Sequence, residues 1–181
     1  MQAVKIVALC LVCLTVALAV IGLFTPGEYE VVRQTVIQAP GDSVFAFLRM
    51  LKNQARFSVW ADMDPDMERD YRGTDGTVGF VMAWRSQNED IGSGEQEIIH
   101  IAEGERIDHE LRLFEPFETT AKLYWLIEAV DSAATRVTWG FRGHLSFPRN
   151  LMLHVIDMNQ KVGEDLERGL EKLKALMETP Q

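Results

Sequence analysis

From Ile6 to Phe24 the chain runs for 19 residues without a charge, and its first acidic side chain is Glu28. A run of that length decides the plan of the whole molecule. As a helix rising about 1.5 Å per residue it covers about 28 Å, against about 30 Å for a bilayer's hydrocarbon core. The segment therefore reads as a transmembrane helix. A cleaved signal peptide is the rival, and Ala17-Leu18-Ala19 offers it a small-x-small site. The apolar run continues past that site through Val20, Ile21, Leu23 and Phe24, which favours an uncleaved anchor. Lys5 precedes the run, and Glu28 and Glu30 follow it. That asymmetry predicts a single pass at the cell membrane, with a cytoplasmic amino terminus and the domain outside, periplasmic or extracellular. Residues 1–27 are thus set apart as the anchor, and residues 28–181 must supply the fold. Cys10 and Cys13 form a C-x-x-C inside the apolar run, where no cation lowers a thiol pKa, so they read as packing residues. No cysteine follows, so the domain is held by its core and not by disulfides.

Acidic residues number 27 and basic residues 18, for a net charge of −9. Such a surface repels phosphate, which argues against nucleic acid as a partner. The hydrophobic and charged fractions, 47% and 25%, suit one globular domain.

Thr25-Pro26-Gly27 breaks the first helix, and Tyr29 to Ala39 is rich in Val, Ile, Thr and Tyr, a strand composition. Pro40-Gly41-Asp42-Ser43 supplies turn and cap chemistry before Val44, Phe45, Phe47, Leu48 and Leu51 recur at helical spacing. An irregular acidic stretch from Arg56 to Asp70 leads to Gly73, Gly76 and Gly79, then to the strand Phe80 to Arg85. Strands continue to residue 144. From Leu151, apolar residues repeat at Val155, Met158, Val162, Leu166, Leu170, Leu173 and Met177, which predicts one long amphipathic helix.

Charges along the hairpin centred on Gly104 favour a two-residue turn at Gly104-Glu105. That register sets Glu103 opposite Arg106 and Glu97 opposite Arg112 on one face. The other face carries Ile98, Leu111 and Ala102, with His100 directly opposite His109. A register shifted by two brings Glu97 against Glu110, and Ile99 and Ile101 sit awkwardly on the charged face in the favoured one. In the next two strands Leu123, Trp125 and Ile127 share a face, as do Val137, Trp139 and Phe141. Lys122, Glu128, Arg136 and Arg142 fall on the opposite side. One side of the sheet is therefore apolar and aromatic, and the long helix must cover it.

A strand, short helices, six antiparallel strands and a long C-terminal helix make the helix-grip order, an α+β fold with a curved sheet of about seven strands. Phe57-Ser58-Val59-Trp60-Ala61-Asp62-Met63-Asp64-Pro65, Tyr71-Arg72-Gly73, Trp84, Gly92-Ser93-Gly94-Glu95, Glu115-Pro116, Val137-Thr138-Trp139 and Val162-Gly163-Glu164-Asp165-Leu166-Glu167-Arg168-Gly169-Leu170 stand in an order that resembles the SRPBCC superfamily. This is the START and birch-pollen-allergen-like group that includes the polyketide cyclase/dehydrase and lipid-transport family. The resemblance spans about residues 28 to 178, and many bacterial members similar to it carry an N-terminal hydrophobic anchor. Val59 stands where many relatives have proline, and the Asp62 to Asp70 loop is more acidic than theirs. The resemblance implies a hydrophobic cavity between sheet and helix but no single activity.

The candidate ligand-binding residues are accordingly Trp60, Trp84, Ile98, His100, His109, Leu111, Trp125, Trp139 and Phe141, with indoles supplying flat apolar walls. His100 and His109, if paired across strands, could move a proton. A metal would need further ligands. His144 and His154 fall in the wrong elements, and H-x-H and H-E-x-x-H spacings are missing, so no metal or cofactor is expected. Asp62, Asp64, Asp66, Glu68 and Asp70 alternate like a calcium loop, but Pro65 and Gly73 spoil the pattern. Gly92-Ser93-Gly94 is not a nucleophile elbow. Three readings follow: a membrane-anchored module binding a hydrophobic small molecule or lipid, a cyclase/dehydrase-like enzyme using the two histidines, or an interaction domain with a filled cavity.

Overall fold

A computed structural model of the chain describes residues 1–179; positions 180 and 181 of the domain lie outside the described residues. Helix α1 spans Gln2–Phe24, and Pro26 ends it. Strand β1 (Glu28–Ile37) leads to α2 (Gly41–Arg49), a 3-10 segment Leu51–Arg56 and a short α3 (Val59–Met63). Six strands follow: β2 (Glu68–Arg72), β3 (Val81–Arg85), β4 (Ser93–Ala102), β5 (Arg106–Glu115), β6 (Thr119–Ala129) and β7 (Thr135–His144). A 3-10 segment Arg149–His154 precedes the long helix α4, Met158–Glu178. All seven strands form one antiparallel sheet in the order β1-β7-β6-β5-β4-β3-β2, and α4 lies against its inner face beside β1.

The expected faces of β6 and β7 are the observed ones. Trp125 pairs with Trp139, Leu123 with Phe141 and Ile127 with Val137 on the covered side, while Lys122, Glu128, Arg136 and Arg142 are exposed. The apolar stripe of α4, Leu166, Leu170 and Leu173, is buried against them.

The long helix is shorter than its apolar repeat suggested. Asp157 caps it, accepting a hydrogen bond from the Gln160 amide at 3.0 Å, so the helix proper starts at Met158. Val155, counted in the periodic stripe, lies before that cap and is 87% exposed.

The β4–β5 register also differs from expectation. The turn holds three residues, Glu103, Gly104 and Glu105, with Gly104 at a φ of +78° and the Glu105 amide donating to the Ala102 carbonyl. Ala102 therefore faces Arg106, and a bulge at Ile99 shifts the remainder by one more residue. Beyond it Glu97 does oppose Glu110. Arg112 makes that pairing tolerable, since its guanidinium bonds Glu97 at 2.7 Å, Glu110 at 2.5 Å and Glu95 at 2.7 Å. The bulge also carries Ile101 to the inner face, opposite Ile107, where it packs on the core.

Candidate functional site

The inner face is built in rows that cross the strands. One row runs Arg33, Trp139, Trp125, Ile107 and Ile101, and the next runs Val31, Phe141, Leu123, His109 and Ile98. In the first row Trp125 and Trp139 stack with ring centroids 4.4 Å apart and planes 25° from parallel. Phe57, at the end of the 3-10 segment after α2, meets both indoles edge-on at 5.9 and 6.0 Å. Trp60 on α3 meets Trp139 at 6.2 Å and 89°. Helix α4 approaches this cluster through Gly169, where a Cβ would lie 2.6 Å from the Trp139 ring. The indoles expected to wall a cavity thus fill the space between sheet and helix.

The other half of the inner face is less closed. Phe141 stacks on Tyr29 at 6.1 Å, and Phe141, Tyr29, Leu111, Met158 and Val162 are only half-buried. Burial raises the Tyr29 pKa. An open groove of about 570 Å³ runs along the edge strand here, lined by Tyr29, Val31, Leu153, Val155, Ile156 and Met158 among others. A second open groove of about 590 Å³ lies at the opposite end, by Ala102, Arg106 and Leu126.

The two histidines do not meet. His100 is paired with Asp108 and projects from the outer face, its Nδ1 3.1 Å from the Asp108 carboxylate. Burial would raise the Asp108 pKa, but hydrogen bonds and charge from Arg106 and His100 outweigh it and hold the carboxyl below its usual range. His109, opposite Ile98, points inward and is fully buried. A shared acid/base or metal role is therefore incompatible with this register. Trp84 is half-buried on β3 against Gly94, and Ile98 is wholly buried.

A buried polar chain holds His109 in place. The Gln96 amide nitrogen donates to Gln54 Oε1 at 3.0 Å and also lies against His109 Nδ1. With the Gln96 amide in this orientation, its nitrogen toward both partners, Nδ1 is the acceptor and the neutral imidazole carries its proton on Nε2. That Nε2 has no partner and is buried, as is Trp139 Nε1. Burial drives the His109 pKa from 6.5 down to about 4, and the charge of Asp108 offsets only part of this. At neutral pH His109 is thus an uncharged hydrogen-bond donor. An unpaired buried donor costs about 1–3 kcal/mol, so a site that keeps one has a use or a strain to explain.

Sequence reasoning missed Gln54 and Arg33. Gln96, on the apolar face, was the available signal for the polar chain. Arg33 lies under α4, bonding Glu167 and Asn159, and Gly163 leaves room for its guanidinium. Glycine in the middle of a helix was the trace of that contact. Among the described residues no group of three His, Cys, Asp or Glu gathers as a metal site.

Comparison with protein-family models and with curated proteins gives no match. Solved structures do match. A truncated norcoclaurine synthase from Thalictrum flavum superposes with a TM-score of 0.61 at 10% identity, covering 87% of this chain and 98% of that one. Protein CV1439 from Chromobacterium violaceum gives 0.59 at 15% identity, covering 83% and 98%. The major latex-like protein 151 of Panax ginseng gives 0.54 at 16%, also covering 83% and 98%. Norcoclaurine synthase has also been solved in complex with dopamine and hydroxybenzaldehyde. Identities this low carry the fold and nothing finer. The curved seven-stranded sheet closed on its long C-terminal helix is the helix-grip fold shared by the birch-pollen-allergen-like and START-type proteins.

Proposed function

We propose that the chain is a hydrophobic-ligand-binding module tethered to a membrane by α1, with its amino terminus cytoplasmic and its domain outside. The observation that carries the binding reading is His109 Nε2, a buried ring nitrogen on the apolar face with no hydrogen-bond partner, which the contact at Nδ1 makes the donor of a neutral ring. An apolar molecule bearing one acceptor oxygen, lipid-derived or polycyclic, satisfies it. Strands lie about 4.8 Å apart, so the three steps from Val31, at the groove, to His109 span about 14 Å. An elongated ligand entering by that groove displaces the half-buried Phe141 and Val162 and leaves the indole cluster as the floor. Helix-grip proteins with small organic ligands, such as the norcoclaurine synthase complex, make the reading reasonable.

The filled aromatic half favours a second reading, an interaction domain with no ligand. Native mass spectrometry of the full chain, released from mild detergent after purification from its host, separates the two. The binding reading expects a reproducible added mass that His109→Leu loses while keeping its thermal unfolding transition. A bare mass under the gentlest release, in both proteins, supports the interaction domain. The enzymatic reading through paired histidines has no geometric support, since the two rings lie on opposite faces of the sheet.

A further inference from the structure

Apolar side chains are unevenly placed on the domain surface. Val155 is 87% exposed, and Phe114, Phe117, Phe147 and Met152 are between 45% and 48% exposed. Among the described residues of the domain, every exposed phenylalanine lies at one end, formed by the β5–β6 turn and the segment between β7 and α4. Arg149 joins these pieces, with its guanidinium 5.2 Å over the Phe117 ring and in contact with the Glu118 carbonyl. At the opposite end the turns carry Glu103, Glu105 and Asp131, flanked by Asp42 and Glu178, with Val78 and Val130 as the exposed apolar side chains and, among the described residues, no exposed phenylalanine.

Helix α1 is fixed to the apolar end. Asn150, itself buried, donates from Nδ2 to the Gly22 carbonyl at 2.6 Å and the Thr25 carbonyl at 2.9 Å. His154 Nε2 lies 2.9 Å from Thr25 Oγ1. A Cβ on Gly22 would lie 2.6 Å from the Phe147 ring, so Phe147 packs level with the last turn of α1. An 18-residue stretch of α1 has a mean hydropathy of 3.0 and is only 6% buried, and Gly22 is the buried residue of the helix.

We propose that this end of the domain is a second membrane contact, in which Phe114, Phe117, Phe147, Met152 and Val155 sit in the lipid interface that α1 enters. The proposal rests on the reading of α1 as a transmembrane anchor. A helix that crosses a bilayer up to Phe24 carries Phe147 to the depth of its final turn, and the neighbouring apolar side chains follow because Asn150 and Leu151 allow no slack. The same end also carries the exposed Glu28, Glu89, Asp90, Glu115 and Glu118, so the contact is expected with zwitterionic and not with anionic lipid. Val155 also lines the groove along β1, so a lipid-derived ligand passes from bilayer to groove without crossing water.

The test uses the full chain with Cys10→Ser and Cys13→Ser, reconstituted in phosphatidylcholine vesicles. Single spin labels are placed at Val155→Cys, Phe117→Cys, Glu105→Cys and Leu11→Cys, all exposed positions. Power saturation compares collisions with oxygen, which concentrates in lipid, and with a water-soluble nickel chelate. The proposal expects the oxygen-to-nickel ratio at 155 and 117 to exceed that at 105 several-fold. A lipid-embedded label at 11 with 155 and 117 matching 105 overturns the interfacial contact and leaves the anchor standing. A water-exposed label at 11 overturns the anchor reading and the contact with it.

Discussion

The two faces of the sheet handle the same residue types in opposite ways, and His100 and His109 show it most directly. Nine positions apart on one hairpin, one is an exposed partner of Asp108 and the other a fully buried neutral ring. On the outer face a wrong-sign pair such as Glu97 and Glu110 is corrected by one arginine reaching three carboxylates. On the inner face no such repair exists, and every unpaired polar atom is a lasting expense in free energy. Charge is therefore a forgiving guide to the wet face, and burial an unforgiving one on the dry face.

That contrast can be broken by experiment. Truncating Trp139→Ala removes the centre of the indole stack and should destabilise the domain by about 3–5 kcal/mol, read from urea unfolding. A loss below about 1 kcal/mol would mean that the aromatic half is loosely packed.

The next effect is the pH dependence of stability. His109 has a folded pKa of about 4 against 6.5 unfolded, so below 6.5 the unfolded chain takes up a proton that the folded one refuses. Stability is complete above pH 6.5 and falls as the pH drops toward 4, by about 3 kcal/mol in all at 1.36 kcal/mol per pH unit. Denaturant midpoints at pH 7.5 and 4.5 should show most of that difference in the parent and little of it in His109→Gln. Equal slopes in the two proteins would place the pH sensitivity elsewhere. Smallest of all, His100→Ala should change stability by less than about 0.5 kcal/mol at pH 7.5, because its partner Asp108 keeps Arg106 at 2.7 Å. A larger loss would make the outer face less forgiving than its geometry implies.

The order of elements was legible because strand alternation and helical periodicity are local. So were the faces of β6 and β7, whose tryptophans and charges alternate without interruption. The β4–β5 register was not, because a third turn residue and the Ile99 bulge depend on burial of Ile101 and on Arg112 reaching two strands. The start of α4 was misplaced because Val155 fits the apolar period while facing outward. At the candidate site, the inward facing of Trp125, Trp139 and His109 was legible, whereas the separation of His100 from His109 and the stacking of the indoles were not. Their arrangement is set by Gly169, Gln54 and Gln96, which carry no pattern of their own.

The most direct test of the central claim is long-range proton–nitrogen NMR of the ¹⁵N-histidine-labelled chain, followed from pH 7.5 to 4.5 and then with the host lipid extract added. His109 should show a neutral ring protonated at Nε2 through most of that range, with a Nε2–H proton that moves downfield as a ligand oxygen accepts it, while the exposed His100 ignores the extract. A His109 ring that gains a proton near pH 6.5, or one whose Nε2–H is indifferent to every extract fraction, would contradict the account.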